Sequence, residues 1–178
     1  MIARQLAQPH LQPSSILRMA KMIIDRDVPI PMDDGLLLRA DVFRPADNKP
    51  CPAIMSLGVY GKGVPYRDGY ARQWELLIST KPEVLSGSTK EYMNWETVDP
   101  EIWVKWGYVC IRVDSRGAGR SPGRVDIWSR RETKDYYDAI EWAAAQSWCT
   151  GKVGLNGISY LQLLSGLLPP FNHPTSQL

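Results

Sequence analysis

Ser159 sits in the run Gly157-Ile158-Ser159-Tyr160, directly after the short apolar segment Val153 to Asn156. A serine hydroxyl attacks a carbonyl only when a base takes its proton. It must also stand clear of the sheet, and hydrolases achieve this with a sharp strand-to-helix turn whose small neighbours prevent backbone clashes. Gly157 supplies the small residue two before the serine. The position two after it, Gly in the G-x-S-x-G pattern, is Leu161 here. The pattern is half met, and these few residues also fit a serine that merely caps a helix after a strand.

The surrounding residues narrow the choice. Asp114-Ser115-Arg116-Gly117-Ala118-Gly119-Arg120-Ser121-Pro122-Gly123 is followed by Glu132, Asp135 and Asp138-Ala139-Ile140-Glu141-Trp142. Trp148-Cys149-Thr150-Gly151-Lys152-Val153-Gly154 then leads into the serine turn. Upstream stand Asp34-Gly35 and Leu38-Arg39-Ala40-Asp41-Val42-Phe43-Arg44-Pro45. In order and spacing, from about Arg26 to Tyr160, the chain resembles the CocE/NonD hydrolases, relatives of the X-Pro dipeptidyl-peptidases, cocaine esterase and α-amino acid ester hydrolases. The resemblance implies the N-terminal part of an α/β-hydrolase fold. It implies a serine hydrolase that is acylated on Ser159 and released by water, with a small ester or amide as substrate. The oxyanion donors it implies are the backbone N–H of Tyr160 and the side-chain hydroxyl of Tyr60. For Tyr60 the alternative is a loop aromatic that only packs; its place after the third strand favours the donor role. No metal and no organic cofactor are implied, and esterase, dipeptidyl-peptidase and amidase stay open. Asp114 and Arg116 are read as organisers of their turn, with Asp114 as a catalytic acid the lesser alternative. The Gly117 to Gly123 loop is not a phosphate loop: its spacing is not GxGxxG and the next helix begins too late.

In this fold the triad order is Ser, then acid, then His. Residues 160–178 contain no Asp or Glu, and His173 is their only His. His173 and His10 are both read as non-catalytic, so the chain is expected to carry the nucleophile and oxyanion donors without the rest of a triad. The tail departs from the family pattern at Gln162, and Gly166, Pro169 and Pro170 shorten the helix after the serine. The resemblance implies eight strands in a full sheet, of which about five are present. Strand Val153 to Asn156 becomes an exposed edge, and the isolated chain is expected to be marginal or insoluble. The alternative is a non-catalytic chain whose exposed face binds another protein.

The elements that must position these residues follow from pattern. Arg26 to Met32 and Leu36 to Arg44 read as strands around the turn Asp33-Asp34-Gly35, an antiparallel hairpin. Ala53 to Leu57 reads as a buried strand ending in the glycine-rich loop Gly58 to Gly63. A long polar stretch, 64–100, reads as a lid or binding-loop insertion, with a helix over Tyr70 to Ile78. Glu101 to Trp106 is a helix candidate ended by Gly107. Tyr108 to Val113 reads as a strand apolar on both faces. Ser129-Arg130-Arg131-Glu132 is a capping box that starts a helix running to about Gln146. Strand and helix alternate through the second half, which predicts parallel strands with flanking helices in an α/β sheet left incomplete.

Length and composition agree with one domain, 25–178, behind an N-terminal extension, 1–24. The 178 residues are 44% hydrophobic with a net charge of +2, and no block of like charge gives a nucleic-acid footprint. The three Cys (Cys51, Cys110, Cys149) are too widely spaced for a zinc or CxxC site. They fit a reducing compartment, hence a cytoplasmic location. A mitochondrial presequence would want more Arg and Ser than the extension carries. No apolar run is long enough to cross a membrane. Oligomeric state is not legible.

Overall fold

The computed structural model describes residues 22–166. Five strands form one sheet in the order β1-β2-β4-β3-β5. β1 (Met22–Pro31) and β2 (Leu37–Pro45) make the antiparallel hairpin, and β2 runs antiparallel to β4 (Val109–Asp114). β3 (Cys51–Gly58) lies between β4 and β5 (Cys149–Leu155), parallel to both. This is the N-terminal part of an α/β-hydrolase-like sheet, and the sheet is open. Among the described residues β5 pairs with β3 alone, so it is the edge strand that the sequence implied.

The strands run longer than their apolar cores suggest. β1 starts four residues before Arg26, and β5 starts at Cys149 rather than Val153. Backbone pairing continues past the last inward-facing side chain, so hydropathy alone under-reads a strand's ends. α1 (Tyr66–Gly69) and α2 (Ala71–Thr80) stand in the long polar stretch. α3 is Pro100–Trp103, shorter than Glu101 to Trp106, because turns carry the chain on to Gly107. Gly107 sits at φ +83, a region costly for residues with a Cβ. α4 is Arg130–Ala144 and α5 is Tyr160–Gly166.

Each sheet face has its own core. Leu38, Ala40, Val42, Met55, Leu57, Ile111 and Val113 meet Tyr136, Ala139, Ile140 and Ala143, the inward stripe of α4 at helical spacing. Tyr136 also donates its hydroxyl to the Met55 carbonyl, 3.3 Å away. On the other face Phe43 and Cys110 pack with Val98 and Val104. β4 is therefore buried at every residue, but its polar members need partners. Arg112 donates to the Val98 carbonyl and lies over the Phe43 ring. Burial without a carboxylate in contact pushes the Arg112 guanidinium down to about 10. The 64–100 stretch is packed by side chains: Tyr70 stacks on Trp95 at 4.4 Å, and buried Glu101 accepts from Ser88, Thr89 and the Lys90 N–H.

Candidate active site

Because β3, β4 and β5 are parallel, their C-terminal ends lie together. The residues that follow them, Tyr60, Ser115 and Ser159, come from three different stretches of chain to one rim. Asp34, Asp114 and Glu132 brace this rim.

The turn at Ser159 is strained. Its φ is +55, whereas a helix N-cap normally keeps an extended backbone. The cap reading is disfavoured on that ground, and the geometry is that of a strand-to-helix elbow. Ser159 is exposed, while Tyr160 and Leu161 are buried. Leu161 stands where the G-x-S-x-G pattern has glycine, and Gly58 of β3 compensates. A Cβ on Gly58 would come within 3.0 Å of the Leu161 side chain, so the glycine lets α5 close on the end of β3. The small residue is thus supplied by a neighbouring strand.

Tyr60 and Tyr160 meet edge to face, with ring centroids 6.0 Å apart. Trp128 stacks on the Tyr160 ring at 5.8 Å. The Tyr160 hydroxyl donates to buried Glu132. Burial first, and then this hydrogen bond to Glu132, hold the Tyr160 phenol well above the ordinary tyrosine range. Burial and the nearby Glu96 also raise Tyr60. Beside Tyr60 lies a cavity of about 30 Å³ lined by Gly58, Tyr70, Trp95, Arg112 and Leu161, room for about one water.

The loop after β3 is tied down by a buried charge cluster. Asp114 accepts the backbone N–H groups of Lys62 (2.7 Å) and Arg120 (2.8 Å). The Lys62 ammonium reaches Asp27 at 2.5 Å, Asp41 at 2.9 Å and Asp114 at 3.9 Å. Burial disfavours that ammonium, but the hydrogen bonds to Asp27 and Asp41 outweigh it, and its pKa lies above the ordinary lysine value. Burial raises the Asp114 carboxyl against these donors. Asp27 reaches the cluster because β1 bulges there, at φ +52. With both oxygens occupied by backbone donors, Asp114 organises its turn, as does Arg116, which pairs with Asp135 and Asp34.

The structure brings Tyr60, Ser159 and Tyr160 to one rim. His10 and His173 lie outside the described residues. The capping box differs in one half. Ser129 accepts the Glu132 N–H at 3.1 Å, but the Glu132 carboxylate turns to the Trp128 N–H (2.7 Å), Ser115 (2.5 Å) and Tyr160 instead of the Ser129 N–H. Glu132, Lys62 and Asp41 were not singled out for the site by sequence. Glu132 reads there as a cap, and Asp41 and Lys62 lie on separate elements. Among the described residues no group of His, Cys, Asp and Glu is arranged to hold a metal. No described helix is long and apolar enough to cross a membrane.

A sheet of this order, with an exposed serine on a left-handed turn after a parallel strand, defines the α/β-hydrolase class. Residues 34–177 match the X-Pro dipeptidyl-peptidase (S15 family), and the chain belongs to that family. Cocaine esterase of Rhodococcus sp. (strain MB1 Bresler) is 29% identical over 135 residues, which cover 76% of this chain and 19% of that protein. A solved CocE/NonD family hydrolase from Staphylococcus aureus is 36% identical with a TM-score of 0.67, over 81% of this chain and 24% of that one. An α-amino acid ester hydrolase, 18% identical over 89% of this chain and 25% of that one, shares the fold with a TM-score of 0.55. The chain thus spans about a fifth to a quarter of the length of these proteins.

Proposed function

We propose that this chain carries the nucleophile and oxyanion donors of a serine hydrolase that cleaves small esters or amides. Ser159 Oγ attacks the carbonyl carbon, and the oxygen that gains negative charge meets the Tyr160 backbone N–H and the Tyr60 hydroxyl. Collapse of this tetrahedral species breaks the bond to the alcohol or amine, which leaves with a proton. Water then attacks the acyl-serine and restores the hydroxyl. The base and its acid follow the nucleophile in this fold's order. They are assigned to none of the described residues. Segment 64–100 is read as the binding loop, since Tyr70 and Trp95 share a cavity wall with Tyr60.

The observation that carries this reading is the backbone of Ser159, an exposed non-glycine residue at φ +55 after a parallel strand. Such strain costs of order 1–3 kcal/mol and persists where surrounding structure enforces it, most often at active sites. The test is hydrolysis of p-nitrophenyl acetate by the purified chain and by Ser159→Ala. Oxyanion donors and binding without a full triad leave about 10³–10⁴-fold catalysis over water. A weak rate of that order is expected with or without the serine, so the mark of the nucleophile is an acetyl group that mass spectrometry places on Ser159 and that Ser159→Ala lacks. No acetyl group on Ser159 after the reaction removes Ser159 as nucleophile.

A further inference from the structure

Glu132 is more than a helix cap. Its carboxylate is buried, and three donors from three parts of the chain converge on it: Ser115 after β4, the Trp128 N–H before α4, and Tyr160 at the start of α5. Ionised, a carboxylate is acceptor-only and has lone pairs for all three. Capping α4 requires only the Ser129 oxygen and the Glu132 N–H. The Tyr160 contact is therefore surplus to the helix. Its effect falls on one ring, which Trp128 stacks upon and Tyr60 meets edge-on. Trp128 itself is held at φ +56, so backbone strain is carried on both sides of that ring, at Trp128 and at Ser159.

We propose that Glu132 is a positioning residue for the reaction. By fixing the Tyr160 side chain it fixes the direction of the Tyr160 backbone N–H, and through the Tyr60–Tyr160 ring contact it keeps the two oxyanion donors in register. The inference rests on the reading of Ser159 as nucleophile. Its structural part stands apart from that reading. Glu132→Gln is the informative change, because an amide offers one acceptor atom and turns an NH₂ toward a donor.

The experiment uses the full chain labelled with ¹⁵N-tyrosine. Its spectrum holds eight tyrosine amides, and Tyr160 is assigned by the peak missing in Tyr160→Phe. Glu132→Gln is expected to shift the Tyr160 peak and to speed its hydrogen exchange at least tenfold. Ser129→Ala removes the cap but not the carboxylate; it is expected to lower the melting temperature and leave the Tyr160 peak in place. An unmoved Tyr160 peak in Glu132→Gln, or an equal shift in Ser129→Ala, overturns the proposal. In p-nitrophenyl acetate hydrolysis, Glu132→Gln and Tyr160→Phe should each lower kcat about tenfold with KM unchanged. The double variant should fall no further than either single one, since both cut the same link. Losses that multiply also overturn it. If the reaction leaves no acetyl group on Ser159, the nucleophile reading fails and with it the catalytic half of the proposal; the amide spectra still decide whether Glu132 holds Tyr160.

Discussion

Lys62→Met should be among the most damaging single changes near the site. The lysine side chain is 4% exposed, and those of Asp41 and Asp114 are each 1% exposed. Two unit charges 4 Å apart attract by about 4 kcal/mol at an effective dielectric of about 20. Most of that gross attraction is cancelled by the cost of taking the charges out of water. Removing one partner is different, because the other charges stay buried without it, and the cost is about 3–5 kcal/mol. Arg26 remains on Asp41, but Asp114 keeps only backbone donors. With a urea slope of about 2 kcal/mol per molar, the unfolding midpoint should fall by about 2 M. Lys49→Met is the control. Its pair with Asp47, at 3.6 Å, has side chains 79% and 53% exposed, and such pairs are worth about 0–1 kcal/mol. Urea titration followed by tryptophan fluorescence measures both. If Lys62→Met moves the midpoint by less than about 0.5 M, roughly 1 kcal/mol, the cluster is screened by solvent and does not hold the Tyr60 loop.

Gly119→Ala should destabilise more than Gly35→Ala. Both glycines have positive φ, +51 and +83, and each pays about 1–2 kcal/mol for a left-handed alanine. Only at Gly119 would the new Cβ fall inside the Asp114 carboxylate, adding an overpacking cost of about 1–3 kcal/mol; equal melting temperatures would refute this. Stability should also fall in acid. Lys62 holds the Asp27 carboxyl below its ordinary 3.8, Arg131 does so for Asp33, and Arg116 for Asp34. A depressed carboxyl contributes stability that is present above its unfolded value and lost as pH falls through its folded one. Asp114, raised by burial, acts with the opposite sign above pH 3.8. Asp27→Asn should therefore flatten the drop in urea midpoint below pH 3.8, and an unchanged acid slope would count against the Lys62–Asp27 pair.

The hairpin, the buried strand after Pro52 and α4 were legible because local periodicity sets them. Ser129-Arg130-Arg131-Glu132 announces the start of α4, and the helix does begin there. What was not legible depends on distance in space. The bulge that aims Asp27 at Lys62 leaves no mark beyond Asp25-Arg26-Asp27, which also reads as a solvated charge run. Leu161 reads as a defect in the serine turn until Gly58, about a hundred residues earlier, is seen beneath it. Glu132 is visible as a cap, but its second task needs the fold to bring Ser115 and Tyr160 to it.

The same distances explain why the motif pieces occur together. Successive residues leaving a strand point in different directions, so Asp114, Ser115 and Arg116 cannot serve one partner. Asp114 turns to the loop carrying Tyr60, through the Lys62 N–H. Ser115 holds the end of β3 with its own N–H, donated to the Gly58 carbonyl, and passes its hydroxyl to Glu132 and thus toward Tyr160. Arg116 grips α4 at Asp135 and the hairpin turn at Asp34. Three consecutive residues thereby lash together the hairpin, the loop carrying Tyr60, α4 and the turn at Ser159. A change in length of the turn between Ser115 and Gly123 would displace all four at once. That turn has little slack: the Gly117 N–H closes on the Pro122 carbonyl, and Ser121 bridges the Asp114 carbonyl to the Arg39 N–H. The spacing from Asp114 to Gly123 is thus tied to the distance between β4 and β2, which sheet pairing fixes.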